Sequence, residues 1–300
     1  MINKSGRLRE MLEHGDIVQV AGAHDGMSAK LVESNGFSAV WASGFALSTC
    51  HAVPDASILT MTDYLHAARV MNYAVDIPVI ADCDTGFGNS LNVSHMVKYY
   101  ELAEIAAVCI EDKRFPKLNS FLGGGQDLEL AEDFADKIAV GKRSQRGTDF
   151  VIIARTEAFI AGFDVNEALR RAHIYADAGA DAILVQSKAR TPEQVFTFLR
   201  GWNQRLPVVV VPTSYHQVTA DELAEAGARM VIYANQAIRA GVRAMDETLR
   251  EIRTSGTTTR VESRIAPMKE LFELQGVREP TAREVGNGYY PAEHVSRTRL

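Results

Sequence analysis

Cysteine is scarce in this chain, with only Cys50, Cys83 and Cys109 in 300 residues. An odd count without metal-like spacing argues against a disulfide framework or a thiolate metal site, and reads as small reduced thiols packed inside. Cys83 lies between two acids but falls on the opposite side of an extended strand, so packing rather than nucleophilic chemistry is its expected role. Clustered positive charge is lacking too. The 32 basic residues are outnumbered by 38 acidic ones, the formal charge is −6, and no Lys/Arg run is long enough to follow a phosphate backbone, so nucleic acid is not an expected partner. Nor is a membrane, because the apolar run 206–211 is far too short to cross a bilayer. The start, Met1-Ile2-Asn3-Lys4-Ser5-Gly6-Arg7-Leu8-Arg9-Glu10, carries no apolar signal region. A cytoplasmic enzyme acting on a small molecule is the expectation.

What is present is a regular alternation. Apolar runs recur at 16–21, 38–43, 77–81, 106–110, 150–154, 182–185, 207–211 and 230–233, giving eight candidate strands. Segments of helical periodicity separate them, among them 91–103, 129–140, 166–178, 192–202 and 220–226. Glycines after Ala178 and Ala226 suit left-handed helix caps. Strands apolar almost throughout, each followed by a helix, predict an α/β fold of the (β/α)₈ TIM-barrel type rather than an open sheet. The expected organisation is one domain over 1–276 with extra C-terminal helices at 237–253 and 264–274, joined by the polar linker 254–260. An irregular tail is expected over 277–300.

In such a barrel the C-terminal strand ends form the active face, and the unusual polar residues fall there. Trp41 and Ser43 follow the second strand, Asp82 and Asp84 the third, Glu111 the fourth, Arg155 the fifth, Gln186 and Ser187 the sixth, Thr213 the seventh and Asn235 the eighth. Asp82 and Asp84, two apart, can share one target, and Glu111 joins them if the strands are parallel neighbours. With Asp55 on the loop after the second strand they form an oxygen-only set that suits Mg²⁺. Arg155 follows a buried run and needs an anionic partner: either an ion pair with Glu157 or another site acid, or a forked contact to a phosphoryl group. The loop after Glu111 has few core residues, carries Lys117, Asn119 and Ser120, and is followed by Gly123-Gly124-Gly125. It reads as a lid that closes over substrate and excludes water.

The segment Glu111-Asp112-Lys113-Arg114-Phe115-Pro116-Lys117-Leu118-Asn119-Ser120 resembles the gating loop of the phosphoenolpyruvate mutase and phosphonopyruvate hydrolase branch of the isocitrate lyase superfamily at every fixed position. The likeness extends from about Trp41 through Asp82-Cys83-Asp84, Ala154-Arg155-Thr156-Glu157 and Val211-Pro212-Thr213 to Met268-Lys269-Glu270-Leu271. The resemblance implies Mg²⁺ nearest Asp82, with Asp84, Glu111 and Asp55 acting largely through water. It implies Arg155 on the phosphoryl group, Ser43 with the Gly44 and Phe45 amides on the carboxylate, and Trp41 as the pocket floor. Asp55, Lys117, Asn119, Ser120 and Arg155 are the residues expected to carry the chemistry. It also implies a homotetramer in which the last helix, apolar at Ile265, Met268, Leu271, Phe272 and Leu274, packs on a neighbouring subunit; packing on its own barrel fits the sequence equally well.

Identity within the loop separates activities. Lyases of the superfamily place Lys-Lys-Cys-Gly-His here, which this chain lacks, and the hydrolases typically have Thr at the position of Asn119. The expectation is therefore a phosphoenolpyruvate mutase. Phosphonopyruvate hydrolysis, a carboxyphosphoenolpyruvate mutase and a related 2-oxo acid lyase are the alternatives. Two departures bear on substrate choice: Gln186 stands where the branch usually has His, and Gln236 follows Asn235 where His is frequent. Both leave the pocket less positive.

Overall fold

The computed structural model describes residues 3–277. Eight strands, β1 Val18–Ala23, β2 Ala39–Ala42, β3 Val79–Asp82, β4 Ala107–Glu111, β5 Val151–Thr156, β6 Ala182–Val185, β7 Val208–Val210 and β8 Met230–Tyr233, close into a barrel in chain order. Neighbouring strands run parallel, including β1 on β8. The helices are α1 Lys4–Glu13, α2 Gly26–Ser34, α3 Gly44–Cys50, α4 Met61–Ala74, α5 Ser90–Leu102, α6 Ala131–Ser144, α7 Val165–Asp177, α8 Glu193–Trp202, α9 Ala220–Glu225, α10 Gln236–Ser255 and α11 Met268–Leu274. The TIM-type barrel with added C-terminal helices is as expected.

Strand alternation sorts the core into two layers. One set of side chains, including Val20, Trp41, Ile80, Cys109, Ile153, Leu184, Val209 and Ile232, fills the barrel, and Leu8 and Leu12 of α1 join it. The alternate set, including Val40, Val79, Val108, Ile152, Ile183 and Val210, packs with the surrounding helices. Short polar signals start those helices: Asp25, Thr60, Asn89 and Thr219 each form a capping box, which fixes where the chain leaves a strand end and turns back. Gly179 and Gly227, at φ +100° and +102°, hold the expected left-handed caps.

Gly22 is required where the barrel closes. A Cβ there would lie 2.0 Å from the carbonyl oxygen of Ala234, so only glycine lets the chain after β8 cross so near β1.

By internal contacts the chain divides into two compact units, Met1–Met245 with the barrel and a second beginning at Asp246 within α10. The second unit includes ion pairs Arg250–Asp246 at 2.6 Å and Arg260–Glu251 at 3.2 Å, then a short turn of helix at Glu262–Arg264 and α11. Helix α11 is shorter than the expected 264–274 because Pro267 sets its start; Ile265 lies before it, and Ile265, Met268 and Phe272 are exposed. The expected irregular tail lies, beyond Val277, outside the described residues. Among the described residues no helix is long and apolar enough to cross a membrane.

Candidate active site

A cavity of about 400 Å³ opens at the C-terminal ends of the strands. Of the residues singled out in the sequence, Trp41, Ser43, Phe45, Asp55, Asp82, Lys117, Asn119, Ser120, Arg155, Gln186, Thr213 and Asn235 line it. Gly44, Asp84 and Glu111 stand just behind that lining. A Cβ on Gly44 would meet Tyr64 and the Asp82 carboxylate at 3.0 to 3.1 Å, so this glycine lets α3 approach the acid. The amide of Gly44 donates to Asp82 Oδ2 at 3.2 Å, and the Ser43 hydroxyl caps α3 by accepting from Ala46 N at 3.2 Å.

The acids converge, but not by strand alternation. Strand β3 ends at Asp82, and Asp84 sits on the following turn in the left-handed region at φ +48°. The turn swings its carboxylate toward Lys117, 3.1 Å away, and Tyr64, whose hydroxyl donates at 3.4 Å; Ser57 donates at 3.3 Å. Lys117 also pairs with Asp55 at 2.7 Å, and Asn119 Nδ2 donates to the other Asp55 oxygen at 2.7 Å. Burial works to raise the Asp55 pKa, but Lys117 and the Asn119 amide hold it below the ordinary carboxylate value.

Arg155 and Glu111 are register partners on β5 and β4. The guanidinium Nε lies 2.6 Å from Glu157 Oε1 and 3.2 Å from Glu111 Oε2, so the ion pair weighed from sequence is present while Arg155 still lines the cavity. Burial alone would raise the Glu157 pKa, yet Arg155 and Lys113 hold it below the usual value. Glu111 goes the other way. Burial pushes it up to about 7, with Arg155 opposing and Glu157 adding to the rise, and its Oε1 has no hydrogen-bond partner among the described residues.

Five carboxylates, Asp55, Asp82, Asp84, Glu111 and Glu157, thus surround three cations, Lys113, Lys117 and Arg155, a formal excess of two negative charges that the raised pKa values of Glu111 and Asp82 partly relieve. Burial pushes the Asp82 pKa up to about 6; Lys117 and Arg155 oppose the rise, and Asp84 and Asp55 add to it. Asp82 accepts, among the described residues, only from the Gly44 and Asp84 amides, at 3.2 and 3.4 Å, and it faces the cavity. Among the described residues no three His, Cys, Asp or Glu side chains are grouped so as to hold a metal ion by themselves. The donor set is nevertheless all oxygen and negative in excess, and of the two acids that line the cavity Asp55 has both oxygens engaged by Lys117 and Asn119, which leaves Asp82 open. The set fits a divalent ion that keeps most of its water and takes one direct carboxylate.

The loop between β4 and α6 covers this cluster. Lys117 and Ser120 are buried beneath it, Phe121 is half exposed, and Lys117 N donates to Ser57 Oγ at 3.2 Å. Its root is fixed by Asp112, a fully buried acid that accepts from Glu157 N at 2.8 Å, Tyr175 Oη at 2.6 Å, Thr156 Oγ1 at 3.2 Å and Arg171 Nη1 at 3.2 Å. Burial raises the Asp112 pKa, and the Tyr175 hydroxyl is the largest influence opposing it.

Several participants were not picked out in the sequence. Tyr64 and Ser57 come from α4 and the loop before it, with no motif to mark them. Arg239, which also lines the cavity, sits on α10 four residues after Asn235 and donates to its side chain at 3.4 Å. That i, i+4 spacing from a strand-end asparagine was the available signal.

The family model for phosphoenolpyruvate phosphomutase matches residues 8–253. A phosphonopyruvate hydrolase of Variovorax sp. (strain Pal2) is 44% identical over 277 residues, 92% of this chain and 96% of the relative. Among solved structures, the phosphoenolpyruvate phosphomutase of Streptomyces platensis subsp. rosaceus superposes with a TM-score of 0.90 at 50% identity, covering 91% of this chain and 95% of that one. A phosphonopyruvate hydrolase in complex with oxalate and Mg²⁺ gives a TM-score of 0.86 at 43% identity, with the same coverage.

Proposed function

Because this chain belongs to the phosphoenolpyruvate phosphomutase family, we propose that it is a Mg²⁺-dependent mutase interconverting phosphoenolpyruvate and phosphonopyruvate, the step that makes a P–C bond for phosphonate biosynthesis. In that reaction one P–O bond breaks as one P–C bond forms, and no water is consumed. The observation that carries the reading is Asn119, whose amide lines the cavity from the loop and is steadied by Asp55. One Nδ2 hydrogen is committed to Asp55 and the second remains for a phosphoryl oxygen.

Arg155, with Nε held by Glu111 and Glu157, presents its guanidinium to the same group. The Ser43 hydroxyl and the Phe45 amide anchor the carboxylate over Trp41, with the Gly44 amide, which donates to Asp82 at 3.2 Å, turning to it when substrate binds. Lys117, pulled upward in pKa against the lowering effect of burial by Asp84, Glu111, Asp55 and Asp82, stays an ammonium and keeps the loop seated on Asp55 and Asp84. Mg²⁺ held at Asp82, with Asp84, Glu111 and Asp55 through water, would supply neutralisation of the enolate and phosphoryl oxygens. The closed loop excludes water, which a phosphoryl group in transit would otherwise capture.

Hydrolysis of phosphonopyruvate is the second reading, supported by the Variovorax relative. Incubation with phosphonopyruvate and Mg²⁺, followed by ³¹P NMR, separates the two. A phosphoenolpyruvate resonance is expected; inorganic phosphate with pyruvate would assign the hydrolase instead, and an unchanged spectrum would remove both. The exposed Ile265, Met268 and Phe272 of the second unit support a homotetramer in which α11 packs on a second copy. Sedimentation equilibrium returning a monomer mass would eliminate that assembly.

A further inference from the structure

Lys113 is the most enclosed cation of the site, 1% exposed, and the proposed reaction gives it no task. It stands at the root of the loop, where it bridges to Leu128 in an isolated antiparallel pair and where Arg114 N donates to Asp127 O at 3.0 Å. Its ammonium has three hydrogens, and three near acceptors take them: Leu118 O at 2.8 Å, Ser120 Oγ at 2.8 Å and Glu157 Oε2 at 3.1 Å. Glu111 Oε1 is farther, at 3.9 Å. Two of the three acceptors belong to the loop, and the third belongs to the strand end that carries Arg155.

Ser120 closes the circuit. Its hydroxyl donates to Glu157 Oε2 at 2.5 Å and accepts from Lys113 and from Arg155 Nη2 at 3.3 Å. Both its hydrogen and its lone pairs are committed, so Ser120 joins the loop to Glu157 and Arg155 instead of offering a free group to substrate. Were the loop to lift, Leu118 O and Ser120 Oγ would leave together. Lys113 would keep one close carboxylate in a buried site, Glu157 would lose a short hydrogen bond, and Arg155 would lose the contact that sets one of its terminal nitrogens.

We infer that Lys113 is a positioning residue that latches the loop over the cavity and, through Ser120 and Glu157, couples loop closure to the orientation of Arg155. The consequence for Arg155 rests on the phosphoryl-binding reading above; the latch itself does not.

Hydrogen exchange of the full-length protein without ligand tests this, since the Lys117 amide donates to Ser57 outside the loop and reports closure, while those of Arg114, Phe121 and Leu122 report order within it. In Lys113→Met, peptides covering 114–126 are expected to exchange about tenfold faster or more, the effect of losing a charged hydrogen-bond pair, while peptides from β4 and α7 keep their rates. Phosphonopyruvate turnover should then show kcat falling far more than KM rises. A folded Lys113→Met with unchanged exchange over 114–126 overturns the latch. If that variant unfolds, Ser120→Ala decides on the same peptides: faster loop exchange with an intact barrel supports the latch and unchanged exchange overturns it. Faster exchange in a protein that never converts phosphonopyruvate would leave the latch standing and refute the mutase.

Discussion

Replacing Arg155 with methionine is expected to lower kcat/KM for phosphonopyruvate by about a hundred- to a thousandfold, the scale seen when a preorganised donor to developing charge is removed. The same change strips Glu157 and Glu111 of a cation, at 2.6 and 3.2 Å, and leaves buried carboxylates short of compensation. Breaking a buried pair from one side costs about 3–5 kcal/mol, although Lys113 beside Glu157 at 3.1 Å offsets part of it. Loss of activity alone is therefore ambiguous, and Arg155→Lys resolves it. Lysine keeps a positive charge near both acids but cannot fork onto a phosphoryl group. Arg155→Lys should retain most of the urea stability and still lose most of its turnover. Turnover within tenfold of the parent in both variants would show that Arg155 serves the fold alone.

Asn119→Ala is expected to abolish isomerisation, with kcat down by about two to three orders of magnitude, at little cost to the fold. Asn119 lies on the loop, partly buried, and its links are Nδ2 to Asp55 at 2.7 Å and Oδ1 from Phe121 N at 3.0 Å. Removing the donor to the buried Asp55 oxygen costs about 1–3 kcal/mol, a cost that falls on the loop and not on the barrel. Lys117 continues to pair with Asp55 and Asp84, so the loop keeps its principal anchor. Stopped ³¹P time courses of the two proteins give the ratio directly. Equal rates would remove the Asn119 amide from the mechanism and with it the argument that favours a mutase.

Much of the scaffold was legible because barrel strands are buried on both faces and read as unbroken apolar runs. Strands β6 and β8 fall on the expected residues. Strand β1 is displaced, running Val18–Ala23 rather than 16–21, because Ala21, Gly22 and Ala23 carry little apolar weight, Gly22 being held small by the nearby Ala234 backbone. Helix α1 was not anticipated, since it buries only Leu8 and Leu12.

At the site, residue types and strand ends were legible, and partners were not. Lys117 meets Asp55 from 62 positions away and Glu157 meets Ser120 from 37, distances over which no periodicity reports. Alternation suggested why Asp82 and Asp84 act together, yet the turn conformation at Asp84, a backbone state that residue names do not announce, is what brings its carboxylate in. Cys83 illustrates the converse: it is buried, and burial pushes its thiol well above the ordinary value, in keeping with the packing role read from alternation, whereas Cys50, at the end of α3, is exposed and not packed inside as expected.

If Asp82 and its neighbouring acids make a pocket of excess negative charge, a small 2-oxo acid binds there only together with a divalent ion. Calorimetric titration with oxalate, with and without Mg²⁺, measures this without any turnover. Binding that appears only when Mg²⁺ is present, and disappears in Asp82→Ala, is the predicted result. Oxalate binding of equal strength after chelation, or undiminished in Asp82→Ala, would contradict it.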